Sequence, residues 1–109
     1  MYIQKSIWTS KMRFTWSVIK NQLNKKKHDI SFEMARNIFD DPSALTWEDR
    51  RYEDYDEERW ISLGRANKEI IAVVVHTYRG DEDEEEIVRI ISARKATKKE
   101  QKIYFNYRK

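Results

Sequence analysis

The segment from Ile87 to Tyr104 constrains the fold most, because it joins a strand pattern directly to a helix-start signal. Its first residues are mainly isoleucine and valine, which suit a half-buried pleated surface. Thr97 follows, with Glu100 three residues later, which is the spacing of a capping box. In a capping box the two side chains satisfy backbone donors that the first helical turn leaves unpaired. The segment therefore predicts a strand that passes straight into a helix, with several Lys and Arg residues at the corner.

Two helices are predicted in the first half of the chain, after a short strand over residues 13–16. Trp16, Ile19 and Leu23 recur at helical spacing and predict the apolar face of the first helix. A second amphipathic helix is predicted over residues 31–39. The single proline of the chain follows and ends it, because proline cannot continue a helix.

Four strands are predicted between this proline and the C-terminal helix, over residues 44–52, 59–64, 70–78 and 87–91. The third is apolar through most of its length, which is typical of a central strand covered on both faces. Short connections favour antiparallel pairing, because parallel neighbours need long crossovers. The predicted fold is α+β: a small antiparallel sheet of about four strands, two N-terminal helices and one C-terminal helix. Residues 1–11 are assigned to an N-terminal extension and residues 12–109 to one domain.

Composition excludes several classes of protein. The chain has no cysteine, which excludes a disulfide framework and a thiolate metal site. No apolar run approaches the ~20 residues that span a bilayer, and the N-terminus is too polar for a secretory signal. The sequence has no glycine-rich phosphate loop. We expect a soluble, cytoplasmic protein that uses no metal or other cofactor.

Charge is distributed unevenly along the chain. Residues 1–39 contain eight Lys or Arg and two acidic residues, and residues 89–109 contain eight and one. Residues 40–60 contain nine Asp or Glu and three Arg. If the two basic ends meet in the fold, they form a positive surface suited to a polyanion. The ordinary alternative for such charge runs is solvated surface.

Three segments, taken together in order and spacing, carry a family resemblance. Their matching residues are Trp16, Lys20, Asn24, Lys27, His28, Ile30-Ser31-Phe32-Glu33, Ala35 and Phe39-Asp40-Asp41-Pro42, then Arg59, Gly64, Val73-Val74-Val75, Thr77 and Arg79, then Arg89-Ile90-Ile91-Ser92-Ala93-Arg94, Ala96, Glu100 and Tyr104. In this pattern the chain resembles the BrnT family of type II toxins. It departs from the pattern at Ser17 and Asp29, where an acidic residue and a glycine are usual, and in the loop over residues 80–86, which is longer and more acidic than the family pattern.

The resemblance implies a ribonuclease toxin with a RelE-like α+β fold that inhibits translation by cutting RNA. It also implies a hetero-oligomer with a BrnA-like antitoxin, whose ribbon-helix-helix domain would make any contact with operator DNA. Two alternatives use the same basic surface. One is a non-catalytic module that binds RNA or protein, and the other is a decayed toxin that keeps the fold and antitoxin binding.

Metal-free RNA cleavage needs a base for the 2′-hydroxyl, an acid for the leaving 5′-oxygen, and cations around the phosphorane charge. His28 is a candidate base, with a helix C-cap as its structural alternative. Glu100 is a candidate for acid–base chemistry, although the capping box gives a purely structural reason for its presence. Tyr104, on the same helical face, either packs against the sheet or offers its hydroxyl to the site. His76 is expected to be packed in the core or to face a partner.

Arginine is the preferred cation, because a guanidinium grips phosphate through two parallel hydrogen bonds. Arg94 and Arg79 are assigned to the catalytic site and Arg89 to RNA binding. Strand alternation separates Arg89 from Arg94 unless a bulge intervenes, and Arg94 is preferred because it lies at the strand end. The acidic block over residues 48–58 is interpreted as a solvated hairpin or a contact for a basic stretch of the antitoxin. Four lysines are assigned to RNA contacts: Lys27, Lys95, Lys98 and Lys99.

Overall fold

A computed structural model describes residues 3–4, 12–52, 58–80 and 85–107. In chain order, the elements are β1 (Ile3–Gln4), β2 (Met12–Thr15), α1 (Val18–His28), α2 (Phe32–Ala35), a first 3₁₀ helix (Arg36–Asp40), β3 (Leu45–Glu48), a second 3₁₀ helix (Arg50–Tyr52), β4 (Arg59–Arg65), β5 (Ile71–Gly80), β6 (Glu86–Lys95) and α3 (Lys98–Tyr107). The α+β class is confirmed. The strand that passes into a helix at the C-terminal corner is confirmed as β6 and α3.

The described strands form one six-stranded sheet in the order β1-β3-β4-β5-β6-β2. Every neighbouring pair is antiparallel except β2 and β6, which are parallel. The predicted sheet of about four antiparallel strands is therefore corrected to a mixed sheet of six. The parallel pair is possible because α1 and α2 follow β2 and supply part of the long crossover that parallel neighbours need. Two residues of the predicted N-terminal extension form β1, while residues 1–2 and 5–11 lie outside the described part of the chain.

One face of the sheet is covered by α2 and the first 3₁₀ helix. Their side chains Phe32, Ala35 and Ile38 are fully buried and belong to one apolar cluster with Val74 of the central strand β5. The apolar face predicted for residues 31–39 is thus confirmed. The geometry changes from α to 3₁₀ halfway along this segment.

The opposite face is only partly covered by α3. Tyr104 of this helix is buried in a second apolar cluster that includes Leu63 and Val73. Farther along the strands, the same side of the sheet opens into two cavities. We call this side, which carries Val73, Val75 and Thr77 of β5, the open face.

The helix α1 is attached to the sheet through a polar side chain. Ile19 and Leu23 are 69% and 61% exposed, so the prediction that they form the packed face of this helix is wrong. Asn24 is buried instead. Its amide group donates to the carbonyl oxygens of Ile30 and Ala93, both at 2.9 Å, and its Oδ1 accepts from the N–H of Ala93 at 3.1 Å. The carboxamide therefore pairs with the edge of β6 much as another strand would.

The residue after α1, Asp29, adopts the left-handed conformation with φ 57° and ψ 35°. Its N–H donates to the carbonyl oxygen of Lys25 at 2.9 Å and so caps the helix. Glycine adopts this conformation without strain, and Asp is one of the few other residues that visits it. Because Asp29 is the C-cap, His28 is the last residue of the helix proper.

Candidate functional site

The predicted capping box is present at the start of α3. The N–H of Glu100 donates to Thr97 Oγ1 at 3.2 Å, and the N–H of Thr97 donates to Glu100 Oε1 at 2.9 Å. The same carboxylate accepts two hydrogen bonds from Arg94, Nη1 to Oε1 at 2.7 Å and Nη2 to Oε2 at 2.8 Å. Glu100 therefore caps the helix and also fixes the guanidinium of Arg94 at the end of β6.

This ion pair changes the proton affinity of both partners. Hydrogen bonds from Arg94 lower the pKa of Glu100 to about 2 against the opposing effect of burial, and the N–H of Thr97 contributes in the same direction. The hydrogen bond to Glu100 raises the pKa of Arg94 in return. Both groups are charged at neutral pH. A carboxylate with so low a pKa holds no proton to donate there, which makes Glu100 unsuited to general acid catalysis.

Arg94 and Glu100 border a cavity of about 200 Å³ on the open face. We call it the arginine cavity. The structure brings His28 to the same cavity, so three of the predicted site residues meet there. The remaining lining residues are mostly apolar: Trp47, Arg51, Ile61, Val73, Val75, Ser92 and Ala93.

Arg51 is a residue of this cavity that the sequence analysis missed. It lies in the second 3₁₀ helix, within the acidic block over residues 48–58. Asp49 binds it through two side-chain hydrogen bonds, Nε to Oδ1 at 2.8 Å and Nη2 to Oδ2 at 2.9 Å. The Asp49 side chain is 1% exposed, whereas that of Arg51 is 63% exposed. A buried carboxylate thus orients an accessible guanidinium, and hydrogen bonding from Arg51 lowers the pKa of Asp49.

A β-bulge in β6 places Arg89 on the same face as Arg94. The bulge is visible in the pairing of β5 with β6, which runs Val73–Arg94, Val75–Ser92, His76–Ile90 and Thr77–Arg89. Ile91 is left without a partner in this pairing, and the extra residue shifts the alternation of side chains by one. Because of this bulge, Arg89 and Arg94 lie on the same face of the sheet.

Arg89 and Arg79 border a second cavity of about 600 Å³ on the open face. We call it the distal cavity. The β5 residues opposite Arg94 and Arg89 are four positions apart, which is ~13 Å along a strand. The structure therefore places Arg79 beside Arg89 and apart from His28 and Arg94.

Tyr104 lies away from both cavities. It is 2% exposed, and its hydroxyl donates to Asp41 Oδ2 at 2.7 Å. The same oxygen accepts from the N–H of Arg65 at 2.8 Å. Burial, followed by the charge and hydrogen bond of Asp41, raises the pKa of the Tyr104 hydroxyl. The contacts of Tyr104 join α3 to the segment after the first 3₁₀ helix and give this residue a structural role.

The remaining predicted residues divide by burial. The four lysines assigned to RNA contacts are all exposed, and Lys95 Nζ lies 3.4 Å from Asp29 Oδ2. His76 is fully buried, with Nε2 2.7 Å from Ser62 Oγ and its ring edge-on to Phe39. It therefore packs in the core.

Two further observations concern other kinds of site. Within the described ranges, no group of three or more His, Asp or Glu side chains is arranged to hold a metal ion. No helix in that part of the chain is long and apolar enough to cross a membrane.

Comparisons with known proteins identify the family and the fold. A family model described as "Ribonuclease toxin, BrnT, of type II toxin-antitoxin system" matches residues 16–100, well over half of the chain. Among solved structures, the Brucella abortus ribonuclease toxin BrnT is similar, with a TM-score of 0.58 and 25% sequence identity. The match covers 83% of this chain and 100% of that one. No curated protein matches the chain.

Proposed function

The chain belongs to the BrnT family of ribonuclease toxins of type II toxin–antitoxin systems, and on this premise we propose that it cleaves RNA at the arginine cavity. One observation carries the proposal. His28, Arg51 and Arg94 line the same cavity. Each guanidinium is held by a carboxylate of its own, Arg51 by Asp49 and Arg94 by Glu100.

These groups support cleavage of RNA by its own 2′-hydroxyl. His28, as a neutral imidazole, removes the hydroxyl proton while the oxygen attacks the adjacent phosphorus. Arg51 and Arg94 donate hydrogen bonds to the phosphate oxygens, whose negative charge grows in the transition state. The 5′-oxygen departs and takes a proton from water. The products carry a 2′,3′-cyclic phosphate and a 5′-hydroxyl, and the reaction as proposed is independent of metal ions.

In this scheme Glu100 and Asp49 act on the arginines rather than on RNA. Because each carboxylate fixes its guanidinium before RNA binds, little reorganisation is needed when charge develops on the phosphate. Glu100 is therefore proposed as a positioning residue for Arg94, and Asp49 as one for Arg51.

The distal cavity is proposed to bind the same RNA at another phosphate. Along the strands, Arg89 lies ~13 Å and Arg79 ~20 Å from the position of Arg94, too far to act on the phosphate that is cut. Their contact with the RNA backbone would raise the affinity for RNA and fix the position of the RNA strand along the sheet. The exposed lysines assigned to RNA contacts would add sequence-independent attraction.

The proposed biological setting follows from the family. We propose that RNA cleavage inhibits translation and that a BrnA-like antitoxin with a ribbon-helix-helix domain neutralises the toxin in a hetero-oligomer. Contacts with operator DNA would then come through the antitoxin alone. The acidic block, of which residues 53–57 lie outside the described ranges, is kept as a proposed contact for a basic stretch of the antitoxin.

The test is cleavage of end-labelled RNA by the purified protein and by single variants. We expect His28→Ala to lower the rate about 10²–10⁴-fold, as loss of a general base does, and Arg94→Ala to lower it about 10²–10³-fold. Arg36→Ala is the matched control. Its side chain is 43% exposed, as is that of Arg94, and it is also paired with a carboxylate, but it lies in the first 3₁₀ helix on the other side of the sheet.

Three outcomes would contradict parts of the proposal. Cleavage that survives in both His28→Ala and Arg94→Ala would place the chemistry elsewhere. RNA that is bound but not cut, with graded and salt-sensitive losses in the variants, would identify a binding module. Loss of cleavage in EDTA, restored by a divalent ion, would overturn metal independence.

A further inference from the structure

The helix α1 exposes an apolar stripe on the side that faces away from the sheet. Val18, Ile19 and Leu23 are 67%, 69% and 61% exposed. Helical spacing places them on one side of the helix, opposite Asn24, which binds the helix to β6. Because the attachment of α1 runs through Asn24, the fold leaves the stripe unused. Contiguous exposed apolar side chains are characteristic of interaction surfaces, which makes the stripe a candidate for one.

The charges around the stripe indicate what kind of partner it fits. The sequence of α1 contains four lysines and no acidic residue. Helical spacing places Lys26 within the stripe, Lys20 and Lys27 along one border and Lys25 along the other. A partner that places Asp and Glu against this border gains from complementary charge.

The same charges argue against two other occupants. A second copy of the chain would bring two lysine-bordered stripes together, and like charges across an interface are unfavourable. A membrane surface attracts basic amphipathic helices, but binding strength there scales with the buried apolar area. Three apolar side chains on an 11-residue helix provide little of it.

We propose that this stripe is the docking surface for an amphipathic helix of a protein partner, with apolar residues at helical spacing and acidic residues on both sides of them. Helix-on-helix recognition uses such anchors at positions i, i+3, i+4 and i+7. Under the proposed function, on which this identification of the partner rests, the partner is the antitoxin. Leu23 lies five residues before His28, or ~8 Å along the helix, so a partner docked here lies close to the arginine cavity.

The test uses two synthetic helical peptides of about five turns. Both have leucine at the anchor positions. On both sides of the leucines, one peptide has glutamate and the other has lysine. Binding to the uniformly ¹⁵N-labelled protein is followed by NMR. We expect the acidic peptide to shift the amide resonances of α1, and the double variant Ile19→Ser/Leu23→Ser to weaken this binding at least about tenfold. Tyr107→Ser is the control, because Tyr107 is an apolar side chain of α3 with 57% exposure.

Several results would overturn the proposal. These are equal binding of the two peptides, no binding of the acidic peptide at about 1 mM, or unchanged affinity in the double variant. Binding of anionic lipid vesicles that the double variant abolishes, without peptide binding, would identify a membrane face. Self-association that the double variant abolishes would identify a second copy as the occupant.

RNA cleavage, assayed in parallel on the unmodified protein, keeps the two proposals distinguishable. If the protein binds the acidic peptide through the stripe but cuts no RNA, the docking surface stands and the ribonuclease assignment fails. If it cuts RNA but does not bind the peptide, the ribonuclease assignment stands and the docking surface fails.

Discussion

Glu100 stabilises the fold only while it is ionised, because its main partners are the cation Arg94 and the backbone N–H of Thr97. Its pKa is about 2 in the folded protein and about 4.3 in an unfolded chain. A pKa that is depressed by folding means that the stabilisation is complete above the unfolded value. It is lost as the pH falls from about 5 to about 2. The corner between β6 and α3 is therefore expected to be sensitive to acid.

Glu100→Gln should destabilise the protein at pH 7 by about 2 kcal/mol, a figure reduced for the partial exposure of Arg94. The difference between variant and parent should shrink towards pH 3, because Glu100 of the unfolded parent is then mostly protonated and has to release its proton on folding. Urea unfolding at the two pH values measures it. Glu69→Gln, an exposed carboxylate in the turn before β5, serves as the control. An equal loss of stability at both pH values would show that the ion pair between Glu100 and Arg94 is not the source of the stabilisation.

Arg51→Ala should lower RNA cleavage about 10²-fold, because it removes one of two guanidinium groups from the arginine cavity. Asp49→Asn should lower it about tenfold through kcat, since Arg51 remains but is held less firmly. Arg50→Ala is the matched control. It is the neighbouring arginine, 76% exposed and paired with Glu48. Wild-type kcat in Arg51→Ala would remove this residue from the proposed mechanism.

The role of a residue could be predicted where its partners are close in sequence. It could not be predicted where the role depends on the folded surroundings of the residue. The capping box of Thr97 and Glu100 was predicted from a spacing of three residues. The role of Arg51 depends on the burial of Asp49, which the folded sheet creates around it. An acidic block of this kind has the composition of a solvated hairpin, so the sequence pattern does not reveal that Asp49 is buried.

At the scale of the elements, α1 shows why an apolar pattern can predict a helix but not its orientation. Ile19 and Leu23 recur at the correct period, and the usual assumption is that such a face meets the core. The sheet edge beside α1 instead presents the backbone groups of Ala93, which need hydrogen bonds more than apolar contact. Asn24 satisfies them, and the helix is rotated accordingly.

Asn24→Leu should destabilise the protein by about 2–4 kcal/mol, since it leaves the N–H and C=O of Ala93 without the partners they now have. Cleavage should fall as well, because His28 is carried by the same helix. Urea unfolding and RNA cleavage measure the two effects. Gln22→Leu, on the exposed side of α1, should change the stability by less than about 0.5 kcal/mol. Similar stability losses in the two variants would contradict the role given to Asn24.

The bulge in β6 also belongs to the scale of elements. Ile91 has no local signature that marks it as unpaired, because a bulge is defined by the strand opposite. From the sequence it could be said only that Arg89 and Arg94 share a face if a bulge lies between them. The pairing of β6 with β5 shows that bulge at Ile91.

For the whole molecule, the types of element could be predicted from periodicity, but the sheet order could not. The placement of β2 beside β6 depends on a crossover through α1 and α2, which no local pattern encodes. This placement has a functional consequence, because it brings the lysine-rich end of α1 against the end of β6, as the contact of Asn24 with Ala93 shows. In the described part of the chain, α1 and the end of β6, which belong to the two basic segments, therefore lie next to each other, as a shared polyanion surface requires.

If RNA follows the open face from one cavity to the other, its affinity should depend on salt with a slope of about 0.7 for each phosphate that is neutralised. Arg89→Ala should reduce that slope by about 0.7 and weaken binding while kcat is largely retained, whereas Arg94→Ala should lower kcat. Fluorescence polarisation with a 2′-O-methyl RNA, which cannot be cut, measures the slope between about 50 and 200 mM salt. Arg36→Ala should leave it unchanged, because Arg36 lies on the other side of the sheet. A slope that Arg89→Ala does not alter would mean that RNA leaves the arginine cavity in another direction, and the distal cavity would then have no part in binding it.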